Sequence, residues 1–377
     1  MEKRIPRIGV VTFPIGEGGT VPLSNLVDIL YSLSDELHLI TGGAGYTFFV
    51  ENKKVITYRV KHRAGANAVF TRAINYALTQ SRISWKLMKL RKNVDLWIFF
   101  IGGEGLVLPM LTAKLLRKDV VIASAGSGFK VAQAQRDPLA KAVALLQSVT
   151  YRLSDRIIMY SERLIEEHGL QKYRNKMSIA HEHFLDFDKF RAKKKLDDRE
   201  NLFGYIGGLS KAKGIPHLLQ AIPNVLSSEN GVKFLIGGDG ELWDKVEEFS
   251  NKESLNGKVE FVGWIPHDEL SEYLNQLKLL VLPSYTEGLP NIMLEAMACS
   301  TPVLATPVGA IPDIIKDGET GFIMENNSPE CIAENIIRAL NHQNLEQIAK
   351  NARTLVEREF TFEKAVERYK RILSSLC

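Results

Sequence analysis

Short runs of apolar residues recur along the whole chain and alternate with stretches of helical periodicity. This alternation predicts an α/β fold with parallel sheets, because two consecutive parallel strands need a crossover, which is usually a helix. Most runs in the first half are continuously apolar, as expected for strands buried on both faces. Ten strands are predicted, over residues 8–13, 37–41, 96–101, 120–125, 156–160, 202–206, 233–236, 259–263, 279–282 and 303–305.

The strands fall into two series, which predicts two domains, and 377 residues suffice for two domains of ordinary size. Between the series, residues 186–201 are rich in Lys, Arg and Asp, have no hydrophobic period and are interpreted as an interdomain linker. We therefore expect a Rossmann-like domain over residues 1–190 and a second one over residues 200–357. The amphipathic segment 358–377 is a candidate to pack back on the first domain.

The charge is distributed unequally between the two halves. Residues 1–195 hold 31 Lys and Arg against 17 Asp and Glu, an excess of 14 positive charges. The remaining residues hold 17 against 27, an excess of 10 negative charges. Such an asymmetry indicates that the first half faces an anionic partner, such as a lipid headgroup or a phosphorylated substrate. Nucleic acid is not expected, because no binding motif or aromatic cluster accompanies the basic residues.

No segment has the length and apolar character of a membrane span. The most apolar stretch, residues 96–113, is interrupted by three glycines and Glu104. The apolar run near the N-terminus is interpreted as a strand and not as a signal peptide. The expected location is therefore the cytoplasm, with or without peripheral attachment to the cytoplasmic face of the membrane.

Residues 82–92 form the segment best suited to membrane attachment. Ile83, Leu87 and Leu90 fall on one helical face, and basic residues including Lys86 and Lys89 fall on another. Two interpretations stay open. The helix could lie in an anionic membrane interface, or it could pack its apolar face on the core and leave the basic face in water. The positive charge of the first half favours the membrane.

The stretch from residue 283 to residue 322 carries the most chemistry. A polar loop follows the strand over residues 279–282, and Pro290 is predicted to open a helix that ends near residue 298. The amides of a helix start form a site for an anion such as a phosphate. Glu287 in the loop and Glu295 on the helix could accept hydrogen bonds from sugar hydroxyls, because each carboxylate has two acceptor oxygens.

Two glycine-rich loops could approach phosphates. Residues 207–214 follow the first strand of the second series and contain Lys211 and Lys213, either of which could neutralise a phosphate. Residues 16–20 follow the first strand of the chain. The first of these loops fits neither the Walker pattern nor the spacing of a dinucleotide fingerprint. No metal site is expected either, because His181 and His183 share one side of a strand without an evident third ligand.

These motifs together resemble the retaining glycosyltransferase family 4. The resemblance covers roughly residues 202–340 in the family's order and spacing. Its main motif is Glu287-Gly288-Leu289-Pro290 through Glu295-Ala296-Met297-Ala298, which is similar to the family's motif of two glutamates with seven residues between them. The other matching segments are Ile206-Gly207 to Lys213-Gly214, Gly238-Asp239-Gly240, Val262-Gly263-Trp264-Ile265, Pro302-Val303, Gly309 and Gly318-Glu319-Thr320-Gly321.

The resemblance implies a GT-B fold, in which two Rossmann-like domains with parallel sheets face each other across a donor-binding cleft. It also implies transfer of a sugar from a UDP- or GDP-sugar donor to a lipid-linked or other glycan or anionic acceptor, with retention of configuration and without a metal or other cofactor. Carried over residue by residue, Glu287 contacts the donor sugar as the catalytic residue and Glu295 binds the ribose. The other implied donor-binding residues are Gly18, Gly19, Lys211, Lys213, Ile265, Gly288, Leu289, Pro290 and Asn291.

The chain also departs from the family's pattern. Gly208 stands where the family usually has an arginine, and residues 124–129 lack the usual histidine of the first domain. Ser300 and Ala310 replace two glycines. Two alternatives therefore stay open: a degenerate glycosyltransferase-like partner subunit without catalysis, and a nucleotide-sugar 2-epimerase of the same fold.

Overall fold

The computed structural model describes residues 7–63, 69–124, 138–255 and 257–376. The contacts divide the chain into two compact units. Unit 1 comprises Met1–Phe184 and Phe362–Cys377, and unit 2 comprises Leu185–Thr361. Residues 125–129, which include the end of one predicted strand and the segment lacking the family's histidine, lie outside the described residues, as does Cys377.

Unit 1 contains a seven-stranded parallel sheet with the order β3-β2-β1-β4-β5-β6-β7. The strands are β1 (Ile8–Thr12), β2 (Leu37–Thr41), β3 (Ile56–Arg59), β4 (Leu96–Phe100), β5 (Asp119–Ser124), β6 (Arg156–Met159) and β7 (Met177–Ile179). The helices of the described residues are α1 (Thr20–Tyr31), α2 (Ala44–Phe49), α3 (Val69–Lys89), α4 (Val107–Leu115), α5 (Ala140–Leu153), α6 (Glu162–Glu167) and, from the end of the chain, α14 (Phe362–Leu373).

The core of unit 1 explains why its strands are continuously apolar. Every residue of β1, β2 and β4 is buried, because helices cover both faces of a parallel sheet. Helix α14 packs against α1 and contributes Ala365, Tyr369 and Leu373 to this core. The C-terminal helix therefore belongs to the unit that the N-terminal strand begins.

Helix α3 shows which of the two interpretations holds for the apolar face of residues 82–92. The helix ends at Lys89, and the three apolar residues predicted as a candidate membrane face are buried: Ile83 and Leu87 are 0% exposed and Leu90 is 7% exposed. This face packs on the core of unit 1 because removing its apolar side chains from water lowers the free energy. The face available to a partner is a different one.

Unit 2 contains a six-stranded parallel sheet with the order β10-β9-β8-β11-β12-β13. The strands are β8 (Leu202–Ile206), β9 (Lys233–Gly237), β10 (Val259–Gly263), β11 (Leu279–Leu282), β12 (Val303–Ala305) and β13 (Phe322–Ile323). The helices are α7 (Ile215–Ser228), α8 (Trp243–Ser250), α9 (Leu270–Gln276), α10 (Asn291–Ala298), α11 (Ile311–Ile314), α12 (Pro329–Leu340) and α13 (Leu345–Glu359).

The charged segment 186–201 is not the exposed linker that its composition suggests. It lies within unit 2, where Phe190 is 2% and Leu196 is 3% exposed. Arg199 is 4% exposed and its guanidinium donates to the carbonyls of Leu277 and Cys299, at 2.9 and 2.8 Å. A few apolar anchors and one buried arginine thus fix a segment that lacks any hydrophobic period.

The prediction of an α/β fold with two parallel-sheet domains is confirmed. All ten predicted strands are present, with ends that differ by at most one residue. The short strands β3, β7 and β13 were missed. The four residues of β3 lie at the sheet edge and are exposed or half-buried, so they lack the apolar run that identifies the other strands.

Candidate functional site

The two motif-bearing loops of unit 2 leave neighbouring strands at the same edge of the sheet. Residues 207–214 follow β8, and residues 283–290 follow β11. Strand β8 lies between β9 and β11. Strands β8 to β10 follow one another toward one edge of the sheet, and strands β11 to β13 follow one another toward the other edge. In open α/β sheets, such a reversal of strand order opens a crevice at the carboxyl ends of the strands, where ligands bind.

Lys213 and Glu287 meet at this crevice, where the strand order reverses. The Nζ of Lys213 lies 2.7 Å from Oε1 and 2.8 Å from Oε2 of Glu287. The hydroxyl of Ser284 donates to the same Oε1 at 2.7 Å. The side chain of Glu287 is 9% exposed, whereas that of Lys213 is 34% exposed. The pair therefore presents a partly accessible ammonium above a nearly buried carboxylate.

Two glycines hold these loops in place. Gly214 has φ +75°, and a Cβ there would lie 2.0 Å from the carbonyl oxygen of Pro283. Gly309 has φ +61°, and a Cβ there would lie 2.3 Å from the carbonyl oxygen of Glu287. Only glycine satisfies both the left-handed backbone and the close approach. The loops that carry Lys213 and Glu287 are thus packed directly against their neighbours.

Helix α10 begins one residue later than predicted. Pro290 has an extended backbone and occupies the N-cap position, so the first helical residue is Asn291. A proline disfavours αR geometry in the residue before it, so Leu289 is an unfavourable position for a helix to include. The helix start still directs backbone amides of its first turn toward the loop that contains Glu287.

Glu295 lies in the second turn of α10 with its side chain 8% exposed. The Nε2 of His267 donates to its Oε1 at 2.9 Å. The ammonium of Lys189 donates to Nδ1 of His267 at 2.9 Å and to Asp268 at 2.9 Å, which fixes the tautomer with hydrogen on Nε2. Within the described chain, Oε2 of Glu295 accepts no hydrogen bond from protein, so this oxygen can accept one from a ligand.

The C-terminal end of α10 is closed by backbone hydrogen bonds. The N–H of Ser300 bonds to Met297 O at 3.1 Å and that of Thr301 to Ala296 O at 2.8 Å, which is the pattern of a Schellman motif. Ser300 has φ +53°, so it occupies the position that usually takes glycine. Arg199 donates to the carbonyl of Cys299, and burial lowers the pKa of its guanidinium to about 10.

Gly208 is held by a tyrosine of the preceding strand. The hydroxyl of Tyr205 donates to the carbonyl of Gly208 at 2.8 Å, and burial together with the Glu287 carboxylate raises the pKa of Tyr205. Lys211 is exposed, and its backbone N–H donates to Glu241 at 3.2 Å. Of the two lysines proposed from the sequence, Lys213 is the one that reaches Glu287.

The remaining predicted donor-binding residues have different surroundings. Ile265 is 7% exposed, and its Cδ1 would lie 2.6 Å from a Cβ built at Gly237, so contact with a base would fall to its backbone. Gly288, Leu289 and Asn291 lie with Pro290 at the start of α10. Gly18 and Gly19 belong to unit 1, in a single turn of 3₁₀ helix (Glu17–Gly19) directly before α1.

Unit 1 contains two poorly solvated carboxyls, the half-buried Glu104 and the buried Glu182, that sequence analysis did not single out. The hydroxyl of Ser124 donates to Glu104, and desolvation raises the pKa of Glu104 to about 7. The hydroxyl of Tyr160 donates to Glu182, which is 1% exposed and whose pKa desolvation also raises to about 7. Both glutamates are far apart in sequence from their partners, so no local pattern could reveal them.

His181 and His183 lie close together beside Tyr160, with 5.4 Å between their ring centroids. No group of three or more His, Cys, Asp and Glu side chains is placed to hold a metal within residues 7–63, 69–124, 138–255 and 257–376.

The same ranges contain no helix long and apolar enough to cross a membrane.

Residues 186–355 match the family model described as glycosyl transferases group 1. The chain is 31% identical over 172 residues to the uncharacterized glycosyltransferase MJ1178 of Methanocaldococcus jannaschii, an alignment that spans 46% of this chain and about half, 47%, of that relative. It is 25% identical to N-acetyl-alpha-D-glucosaminyl L-malate synthase of Bacillus anthracis, over 97% of this chain and 96% of that enzyme.

Among solved structures, HepE of Anabaena in complex with UDP and glucose superimposes with a TM-score of 0.74 at 16% identity, over 97% of this chain and 99% of that one. At this identity the likeness concerns the fold alone. The predicted GT-B fold, with two Rossmann-like parallel-sheet units, is confirmed.

Proposed function

Because residues 186–355 match the family model of the glycosyl transferases group 1, we propose that the chain is a retaining glycosyltransferase that uses a nucleotide-sugar donor. The observation that carries this proposal is the contact between Lys213 and Glu287 at the carboxyl ends of β8 and β11, together with the buried Glu295 on the helix that follows β11. One ammonium, one helix start and two carboxylates are the groups needed for a diphosphate and two sets of sugar hydroxyls.

Glu295 binds the ribose of the donor. Its Oε1 is occupied by His267, and its Oε2 is left for a hydroxyl. His267 itself is held by Lys189, so the carboxylate is oriented before the ligand arrives. Such pre-orientation reduces the entropy lost on binding.

Lys213 binds the donor diphosphate, and Glu287 accepts hydrogen bonds from the transferred sugar. The partly exposed ammonium can turn toward a phosphate while keeping a carboxylate oxygen as a second partner. Negative charge develops on the diphosphate as the glycosidic bond breaks, and a fixed ammonium with the amides of α10 stabilises it. This arrangement supplies the electrostatic role of a metal ion, so we propose that transfer is metal-independent.

A nucleotide-sugar donor is supported by HepE, whose complex contains UDP and glucose. The acceptor in our proposal is a lipid-linked or other glycan or anionic molecule, because residues 1–195 carry an excess of 14 positive charges. We propose a cytoplasmic location with peripheral attachment to an anionic membrane surface.

Turnover by the purified protein tests this proposal. Wild-type protein and Glu287→Gln are incubated with UDP- and GDP-sugars in EDTA, and the products are separated by chromatography. We expect the wild-type protein to release the nucleoside diphosphate, by slow hydrolysis or by transfer of the sugar to added acceptors. Glu287→Gln should release none. Binding without turnover would favour the non-catalytic partner subunit, and appearance of the 2-epimer of the donor sugar would favour the epimerase; either result overturns the proposed transfer.

A further inference from the structure

Helix α3 has two apolar faces, and only one of them is used by the core. Ile83 and Leu87 are buried, whereas large apolar side chains on the opposite face are exposed. This apolar stripe consists of Phe70 (77% exposed), Ile74 (42%), Leu78 (47%), Trp85 (58%) and Met88 (38%). At 3.6 residues per turn these positions lie within about 80° of one another, so they form one continuous strip.

A basic pocket borders the apolar stripe. It is open, has a volume of about 450 Å³ and lies between α3 and the end of β3. Four cationic side chains line it, namely Arg59, Lys61, Arg82 and Lys86. Leu78 and Trp85 of the stripe line the same pocket, so the charged and apolar surfaces are continuous.

Within the described residues, the four cations have no acidic partner. Across the described ranges of the chain, no carboxylate forms an ion pair with Arg59, Lys61, Arg82 or Lys86. Arg82 donates to the carbonyl of Lys61 at 2.7 Å, and Lys86 lies 5.9 Å from the centre of the Tyr58 ring. Burial and the charge of Lys89 lower the pKa of Lys86, as expected for cations gathered without a counter-charge.

We infer that the basic pocket binds the phosphate of an anionic phospholipid while the apolar stripe inserts into the membrane interface. The pocket alone would suit any phosphate. A free phosphate or a nucleic-acid backbone would leave Phe70 and Trp85 in water, whereas a bilayer surface offers anionic headgroups and acyl chains side by side. This inference deepens the membrane attachment of the proposed function and rests on it, but it is independent of the donor site.

Flotation with vesicles tests the inference. The full chain is mixed with vesicles of phosphatidylcholine, with or without phosphatidylglycerol, and the floated fraction gives the partition coefficient. We expect binding only to the anionic vesicles. Arg82→Gln/Lys86→Gln should weaken it roughly 30-fold, since each cation near an anionic surface contributes a factor of about five. The matched control Lys53→Gln/Lys370→Gln removes two exposed lysines of unit 1 and should leave partitioning nearly unchanged.

The apolar stripe is tested separately with Phe70→Ser/Trp85→Ser, which changes exposed side chains and should weaken binding about ten-fold or more. Each variant is checked for an unchanged melting temperature and unchanged nucleotide-sugar affinity, so that loss of membrane binding is distinguished from failure of the donor site. Equal losses in the pocket variant and its control, equal binding to both vesicle types, or binding of inorganic phosphate without vesicle binding would each overturn the inference.

Discussion

The Nζ of Lys213 lies within 2.8 Å of both carboxylate oxygens of Glu287, although 74 residues separate the two in the chain. Lys213 belongs to the loop after β8 and Glu287 to the loop after β11. The ion pair therefore exists only because the parallel sheet places the carboxyl ends of these strands next to each other. In our proposal the same pair holds the diphosphate and the sugar of the donor.

Lys213→Met should weaken nucleotide-sugar binding by about ten- to a hundred-fold, the range expected for losing hydrogen bonds from a charged group to a phosphate. Titration calorimetry measures the dissociation constant. Lys211→Met is the matched control, because Lys211 lies in the same loop but does not contact Glu287, and its effect should be clearly smaller.

The same variant should lower the free energy of unfolding by about 1–3 kcal/mol, since it leaves the Glu287 carboxylate 9% exposed without its cation. The double variant Lys213→Met/Glu287→Gln should recover most of this loss without recovering donor binding. If stability and donor binding recovered together, the lysine would have a structural role and no direct role in binding.

Glu295→Ala should weaken nucleotide-sugar binding by about ten-fold or more, because a carboxylate that accepts ribose hydroxyls is lost. Glu346→Ala changes an exposed acid of the same unit and serves as the control. His267→Ala should have an intermediate effect, as it removes only the group that orients Glu295. An unchanged affinity in Glu295→Ala would exclude the ribose assignment.

Ser300→Gly should raise the free energy of unfolding by about 0.5–1 kcal/mol. Ser300 has φ +53°, and a left-handed backbone is unfavourable for a residue with a Cβ. Denaturation with urea measures the change. Ser227→Gly, within helix α7, should instead destabilise the protein by a similar amount, so a stabilising effect at both positions would speak against the conformational explanation.

Stability should depend on pH through Glu182. Desolvation raises the pKa of this carboxyl in the folded state from 4.5 to about 7. The folded state therefore binds the proton more tightly, and the stabilisation is complete below pH 4.5 and is lost as the pH rises through 7. Glu182→Gln should reduce the slope of the free energy of unfolding against pH, by the amount that corresponds to about one bound proton. An identical slope in both proteins would show that Glu182 ionises normally.

The strands were predictable because burial on both faces leaves a local mark, an apolar run. Side-chain partners were predictable only in part. The spacing of Glu287 and Glu295 identified both acids, but nothing local connects Glu295 with His267, or Glu287 with Lys213. These contacts arise from strand order, which periodicity does not encode.

Two segments show why composition misleads. Arg199 lies in a charged stretch that resembles a linker, yet its guanidinium is buried against the carbonyls at the ends of α9 and α10. Helix α3 has apolar residues on two faces, so periodicity alone could not decide whether Ile83 or Trp85 faces the core. In both cases tertiary packing decides what the sequence pattern leaves open.

Titration of the wild-type protein with UDP-, GDP- and ADP-sugars in EDTA tests the central claim most directly. The account predicts that one nucleotide class binds without a metal and that this affinity falls in Lys213→Met and Glu295→Ala but not in Glu346→Ala. If no nucleotide-sugar binds, or if binding is unaffected by both substitutions, the donor site proposed at β8 and β11 is contradicted.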